Sequence, residues 1–274
     1  REIVSRYDDS VVRPTGVGPI LLRRARGYAP LPLDLPVASP VPFLAVGPHL
    51  KNTFTLVHGR RAFVSQHIGD LENLETLEHF HASLERFKAL FRIEPEAVVH
   101  DLHPGYFSTR VARESGLRVL PAVQHHHAHA AAVMAEHGRT GPVLALAFDG
   151  VGYGEDGTVW GGEILQADLL GFRRVGHLRP APLPGGDLAA RNPWRAALGY
   201  LMLDHHLAPA FALALDGVQE AERAMAEMQA TRGVNAPWAS SMGRLFDAAA
   251  AVLGLRLKAE FEGQEVRPGE TIDV

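Results

Sequence analysis

The chain has 274 residues, a formal net charge of −4 and no cysteine. This length can bury a full hydrophobic core and allows one large domain or two smaller ones. Without cysteine, the sequence excludes disulfides, a thiolate nucleophile and a cysteine-ligated zinc site, so a metal would be bound by His, Asp, Glu or main-chain oxygen. The sequence lacks a long basic run of the kind that favours nucleic-acid binding. It also lacks an apolar run long enough to span a membrane. We expect a cytoplasmic protein that binds neither nucleic acid nor membrane.

Residues 1–40 differ in character from the rest of the chain. A charged start and an arginine-rich stretch lead into prolines at positions 30, 32, 36, 40 and 42. Proline at this density favours an extended connector, so we place a domain boundary near residue 40.

The segment after this boundary alternates strand and helix patterns. Residues that favour β-structure over 43–57 and 62–67 flank a turn and predict a hairpin. Apolar residues at helical spacing predict an amphipathic helix over 71–91. The next predicted elements are a strand at 97–101, a helix at 106–114 and a strand at 117–123.

The second half of the chain begins with strands and ends with helices. Its predicted elements are strands at 143–148, 159–166 and 172–178, then helices at 193–203, 218–229 and 240–253. Strands that alternate with helices predict an α/β fold with a mixed or parallel sheet. We therefore divide the chain into a connector segment at 1–40, an α/β lobe at 41–183 and a helical part at 184–274.

The segment Gln124–His129 contains four histidines within five residues. On a helix, His125 and His129 are four residues apart and project from one face. Asp149, at the predicted end of a strand, could supply an oxygen ligand to the same ion, and this ligand set suits Zn²⁺ or Fe²⁺. The alternative is a solvated histidine-rich helix start, because histidine is only moderately unfavourable on a helix surface.

The glycine-rich segment Asp149–Gly154 follows a predicted strand directly. Such a loop can turn its backbone N–H groups toward a phosphate, although Asp-Gly is also a strong hairpin signal. Lys51 could serve as a point charge for phosphate or be an ordinary surface residue. The segment Ser240–Asp247 is typical of a capped helix start.

Ten short motifs occur in the order found in one known family. They are Asp8–Arg13, Arg23–Pro30, Leu50–Phe54, Ser65–Leu71, Asp101–Tyr106, Gln124–His129, Phe148–Gly154, Trp160–Glu163, Pro184–Asp187 and Ser240–Asp247. Together they resemble HypF, the carbamoyltransferase of NiFe hydrogenase maturation, from residue 1 to about residue 265.

The resemblance implies an actin/Hsp70-like (ASKHA, ribonuclease H-like) α/β transferase lobe with a helical C-terminal portion. HypF proteins consume carbamoyl phosphate and ATP, form carbamoyl-adenylate and transfer the carbamoyl group to the C-terminal cysteine of HypE. There the group becomes the precursor of the cyanide ligands of the hydrogenase iron. By this similarity the metal ligands and catalytic residues are His125, His129 and Asp149. The residues matched to phosphate contacts are Lys51, Gly150, Gly152 and Gly162, and those matched to the adenosine-side helix are Gly243, Arg244 and Asp247. The resemblance also allows Mg²⁺ with the nucleotide.

The sequence departs from the HypF pattern at both ends. Residues 1–40 resemble only the end of the YrdC-like domain that precedes the transferase module in this family. The family continues into a second lobe after Phe261–Gln264, whereas Glu265–Val274 does not resemble that continuation. We therefore expect a truncated fragment that does not complete carbamoylation alone.

Two other functions stay open. One is a carbamoyl or threonylcarbamoyl transferase acting on a small molecule or tRNA, with the missing basic patch arguing against RNA. The other is a non-catalytic lobe that binds metal or docks to a partner.

Overall fold

The computed structural model describes residues 5–16, 18–204, 206, 209, 211 and 215–259. The chain divides into two compact units between Gly141 and Pro142. None of the described helices is long and apolar enough to span a bilayer. The tail at 265–274, which we expect to depart from the family, lies outside the described residues.

The described residues of the first unit form two sheets. Strands β1 (Val11–Thr15) and β2 (Gly18–Arg23) form an antiparallel hairpin. A six-stranded sheet has the order β3-β6-β5-β4-β7-β8. Its strands are β3 (Leu33–Asp34), β4 (Phe43–Ala45), β5 (Thr55–His58), β6 (Arg61–Val64), β7 (Ala97–Val99) and β8 (Arg118–Val119). Because β4, β7 and β8 are parallel and the other neighbours antiparallel, the sheet is the mixed one of the two predicted kinds, mixed or parallel.

The predicted hairpin forms between β5 and β6, but its first strand is shorter than predicted. Residues 46–54 lie between β4 and β5 without regular structure. The buried Asn52 side chain donates to the carbonyl oxygens of Val46 (2.8 Å) and Pro48 (2.6 Å), which folds this segment back on itself. These amide hydrogen bonds compete with strand pairing and explain why β-forming residues here do not extend the sheet.

The helices of the first unit are α1 (Leu74–Phe91), α2 (Phe107–Glu114) and α3 (His125–Glu136). Helix α1 begins three residues after the predicted start because Asn73 caps it, accepting from the Thr76 N–H at 2.8 Å. Its apolar face packs against Phe54, whose ring makes edge contacts with Phe80 and Phe87. Fully burying one such side chain contributes roughly 1.5–3 kcal/mol.

The second unit places helices against another mixed sheet. Its strands are β9 (Val143–Tyr153), β10 (Val159–Ala167), β11 (Phe172–His177), β12 (Ala181–Pro182) and β13 (Trp238–Ala239), in the order β11-β10-β13-β12 with β9 paired to β10. In the part of this unit that the structure describes, the helices with defined bounds are α4 (Leu188–Arg191), α5 (Pro193–Leu203), α6 (Glu220–Arg232) and α7 (Met242–Val252). Buried alanines in α5 and α7 join one hydrophobic cluster, which lets these helices approach closely.

The prediction of a glycine-rich loop after residue 148 is wrong. Strand β9 continues to Tyr153, and the chain turns only afterwards. Trp160 pairs with Gly152 and Gly162 pairs with Phe148, so β9 contains extra residues opposite Gly161 and forms a β-bulge. Asp149 therefore lies inside a strand, at this bulge, rather than at a strand end.

Candidate metal and nucleotide site

Helix α3 brings His125 and His129 together in the first unit. Gln124 caps the helix by accepting from the His127 N–H at 2.9 Å, which places His125 in the first turn. The Nε2 atoms of His125 and His129 lie 3.2 Å apart, with their ring planes at 80°. The i, i+4 pairing predicted from the sequence is therefore present in the structure.

The distance between these two nitrogens suits a shared ion. With zinc–nitrogen bonds of about 2.0–2.1 Å and a tetrahedral angle, two imidazole ligands would stand roughly 3.3–3.4 Å apart. The observed 3.2 Å is close to this value. His126 points elsewhere, since it is fully buried and its Nδ1 lies 3.1 Å from the Gln124 amide nitrogen. The donor set and its spacing thus fit a divalent metal.

A carboxylate that the sequence reasoning did not select contacts this pair. The Oδ2 atom of Asp101 lies 2.7 Å from Nδ1 of His125, and the Asp101 side chain is only 8% exposed. Metal-binding histidines commonly donate their second ring N–H to such a carboxylate. The motif Asp101–Tyr106 was the available signal in the sequence. Asp101 and His125 are, however, 24 positions apart, so no local spacing predicts their contact.

Asp149 belongs to the second unit and sits at the bulge of β9. Its Oδ1 accepts from the N–H of Gly150 at 2.6 Å. The start of α7 packs on this bulge, because Ser241 donates to the Gly150 carbonyl at 2.6 Å and a Cβ on Gly243 would lie 2.9 Å from the Gly150 Cα. Asp149 as a metal ligand stays a prediction.

Two of the glycines predicted to face phosphate have different surroundings. A Cβ on Gly162 would lie 2.5 Å from the Ser240 carbonyl oxygen, so close backbone packing alone requires glycine there. The Gly162 N–H donates to Glu163 at 3.3 Å. A Cβ on Gly150, in contrast, would meet nothing within 4 Å. Phosphate binding by Gly150, Gly152 and Gly162 stays a prediction.

Glu163 is a buried carboxylate at the centre of the second unit. One of its oxygens accepts from the Gly161 N–H (3.1 Å), the Gly162 N–H and the Ser240 hydroxyl (2.5 Å), and the other accepts from Nε of Arg174 (2.6 Å). Burial alone would raise the pKa of Glu163, but the hydrogen bonds from Arg174, Ser240 and Gly161 outweigh it and hold the pKa below its ordinary value. This carboxylate therefore connects β10, β11 and the segment before α7.

Arg174 extends this network toward the surface. Its guanidinium lies 4.1 Å from the centre of the Trp160 ring and 3.2 Å from a carboxylate oxygen of Asp156. Asp156 also accepts from the Trp160 indole N–H at 2.9 Å. The sequence predicted a phosphate contact at Gly162 but not this network, whose signal was a glutamate in a mostly apolar strand.

The remaining predicted site residues lie in both units. Lys51 is exposed in the first unit, with a left-handed backbone, and its N–H donates to Asp70 at 2.7 Å. In the second unit, Nε of Arg244 lies 2.6 Å from Oδ2 of Asp247, which is 2% exposed. Arg244 and Asp247 therefore form an ion pair within one turn of helix α7. Nucleotide contacts by these residues stay predictions.

Comparison with known proteins agrees with this architecture. Residues 38–136 match the HypF Kae1-like domain, and residues 145–266 match the second subdomain of the carbamoyltransferase Kae1-like domain. The chain is 47% identical to carbamoyltransferase HypF2 of Cupriavidus necator, with 96% of this chain aligned to 33% of that protein. It is 43% identical to carbamoyltransferase HypF of Rhizobium leguminosarum bv. viciae, with 99% of this chain aligned to 35% of that protein.

A solved structure extends the similarity to three dimensions. The crystal structure of full-length HypF in the phosphate- and nucleotide-bound form superposes with a TM-score of 0.91 at 44% identity, over 97% of this chain and 35% of that one. The predicted ASKHA-type α/β transferase lobe is therefore confirmed. The chain spans about a third of the length of these relatives. It belongs to the HypF carbamoyltransferase family and matches that family's Kae1-like region over residues 38–136 and 145–266.

Proposed function

We propose that this chain carries the carbamoyl-transfer site of a cytoplasmic HypF protein. The complete reaction would use carbamoyl phosphate and ATP, pass through carbamoyl-adenylate and end on the C-terminal cysteine of HypE. The observation that supports this best is the pair of Nε2 atoms 3.2 Å apart on α3, one of them backed by a buried carboxylate. A carboxylate on the second ring nitrogen is the usual partner of a metal-binding histidine.

In this proposal, His125 and His129 hold a divalent ion, Zn²⁺ or Fe²⁺, and Asp149 is the third protein ligand. When bound, the ion supplies a Lewis acid for the carbamoyl oxygen. Asp101 keeps His125 oriented through its 2.7 Å hydrogen bond. Backbone N–H groups around Gly150 and the helix start at Gly243 would receive the adenylate phosphate and nucleoside, with Mg²⁺ accompanying ATP.

The acceptor thiol comes from HypE in this scheme, and the 274 residues of this chain contain no cysteine that could take its place. The alternatives are a transferase that acts on a small molecule or tRNA and a non-catalytic docking lobe. The formal charge of −4 disfavours tRNA because a nucleic-acid-binding surface needs clustered positive charge.

Two binding measurements separate these functions. Calorimetric titration with ATP and Mg²⁺ should release heat, and immobilised HypE should retain the chain. Binding of tRNA in place of HypE would support a transferase that acts on tRNA. The absence of any heat of binding with ATP would support a non-catalytic docking lobe. Incubation with HypE, carbamoyl phosphate and ATP should give no carbamoylated HypE from this chain alone.

A further inference from the structure

We infer that Asp101 is the positioning residue that fixes the tautomer of His125. The inference rests on the proposed metal site and identifies the side chain that decides which nitrogen of His125 is available to the ion. Oδ2 of Asp101 lies 2.7 Å from Nδ1 of His125, and the two side chains are 8% and 15% exposed. Water therefore competes little for this hydrogen bond.

The second oxygen of Asp101 is also engaged, which prevents the carboxylate from rotating freely. Its Oδ1 accepts from the His103 N–H at 2.8 Å. Asp101 forms a parallel β-bridge with Val123, and the Leu102 N–H donates to the Val123 carbonyl at 2.9 Å. Val123 immediately precedes the cap of α3, so the backbone bridge holds the carboxylate in register with His125.

The chemistry of the two partners determines the proton's position. An ionised carboxylate only accepts hydrogen bonds, so Nδ1 of His125 must carry the hydrogen. In the neutral imidazole, Nε2 then has the lone pair. That lone pair is on the atom that lies 3.2 Å from Nε2 of His129. Asp101 thus presents His125 to an ion through Nε2.

Asp101→Asn tests this inference because it keeps the shape and changes the hydrogen-bonding pattern. Asparagine has one acceptor and one donor in place of two acceptors. If its oxygen continues to accept from the His103 N–H, its NH₂ group faces Nδ1 of His125. His125 would then change tautomer, with hydrogen on Nε2 and no lone pair toward His129. The expected result is 10- to 100-fold weaker metal binding, on the order found when such a partner of a metal ligand is removed.

The first measurement is the zinc dissociation constant by competition with a chromophoric chelator. Asp34→Asn is the matched control, because it removes the same charge from an exposed strand of the same unit. We expect the control to bind zinc like the wild type. Equal zinc affinity of Asp101→Asn and the control would overturn the inference.

The second measurement reads the tautomer directly in metal-free protein. Long-range ¹H–¹⁵N spectra of protein with ¹⁵N-labelled histidine distinguish the two tautomers, and a His125→Ala spectrum identifies the resonance. Wild-type His125 should carry its hydrogen on Nδ1, and hydrogen on Nε2 would overturn the inference even if Asp101→Asn does not fold. If the wild type binds no zinc while its His125 carries hydrogen on Nδ1, the proposed metal site fails and the role of Asp101 in setting the tautomer is retained.

Discussion

Replacing Glu163 with glutamine should destabilise the second unit far more than the same change at an exposed ion pair. Glutamine can still accept from Gly161, Gly162 and Ser240, but its NH₂ group would face Nε of Arg174, which is also a donor. Removing one partner of a buried ion pair costs about 3–5 kcal/mol. Arg174 is 19% exposed and would still form its ion pair with Asp156 in the variant. We therefore expect the free energy of unfolding to fall by an amount at the low end of this range, roughly 3 kcal/mol.

Glu227→Gln is the matched control, because it removes an Arg–Glu pair of similar length in the same unit. Nε of Arg223 lies 2.8 Å from Glu227, compared with 2.6 Å between Arg174 and Glu163, but Glu227 is 45% exposed and Glu163 is fully buried. Exposed pairs contribute only about 0.2–1 kcal/mol. Urea unfolding followed by circular dichroism compares the two variants. Equal costs would refute the reasoning that burial makes the Glu163 network important.

Three further predictions concern acid, backbone packing and helix capping. The pKa of Glu163 lies below its ordinary 4.5, so the contribution of this carboxylate to stability is present above pH 4.5 and is lost as the pH falls through the pKa of the folded state. Acid titration should therefore destabilise the wild type more steeply than Glu163→Gln. Gly162→Ala should lower the free energy of unfolding by about 1–3 kcal/mol because the added Cβ would overlap with the Ser240 carbonyl. Gly150→Ala, whose Cβ has open space, should unfold at nearly the wild-type urea concentration. Equal unfolding midpoints for the two variants would contradict the role of close packing at Gly162. Asn73→Ala should cost about 1 kcal/mol through loss of the α1 cap, measurable by the same unfolding assay, and an unchanged midpoint would show that the cap is unimportant.

Local patterns predicted the elements whose structure depends on nearby residues. The apolar period over 71–91 predicted α1, and the turn around Gly59 predicted the β5–β6 hairpin. The i, i+4 spacing predicted that His125 and His129 share one face of α3. In each case the pattern relates residues that are only a few positions apart in the chain.

Long-range contacts account for what the sequence did not predict. Asp149 lies at a bulge because the pairing of β9 with β10 shifts between Trp160 and Gly162, and one strand's sequence does not determine this register. Asp101 reaches His125 through a parallel bridge to Val123, which brings distant residues together. Residues 46–54, which we predicted as part of a strand, do not join the sheet because the Asn52 side chain forms hydrogen bonds with backbone carbonyls of this segment.

Metal analysis of the purified chain tests the central claim most directly. After loading with Zn²⁺ and removal of free ions, the wild type and His127→Ala should retain stoichiometric metal, since His127 is not a predicted ligand. The double variant His125→Ala with His129→Ala should lose it, and Asp149→Ala should retain less than the wild type. Stoichiometric zinc in the double variant would contradict the assignment of this histidine pair as the metal site.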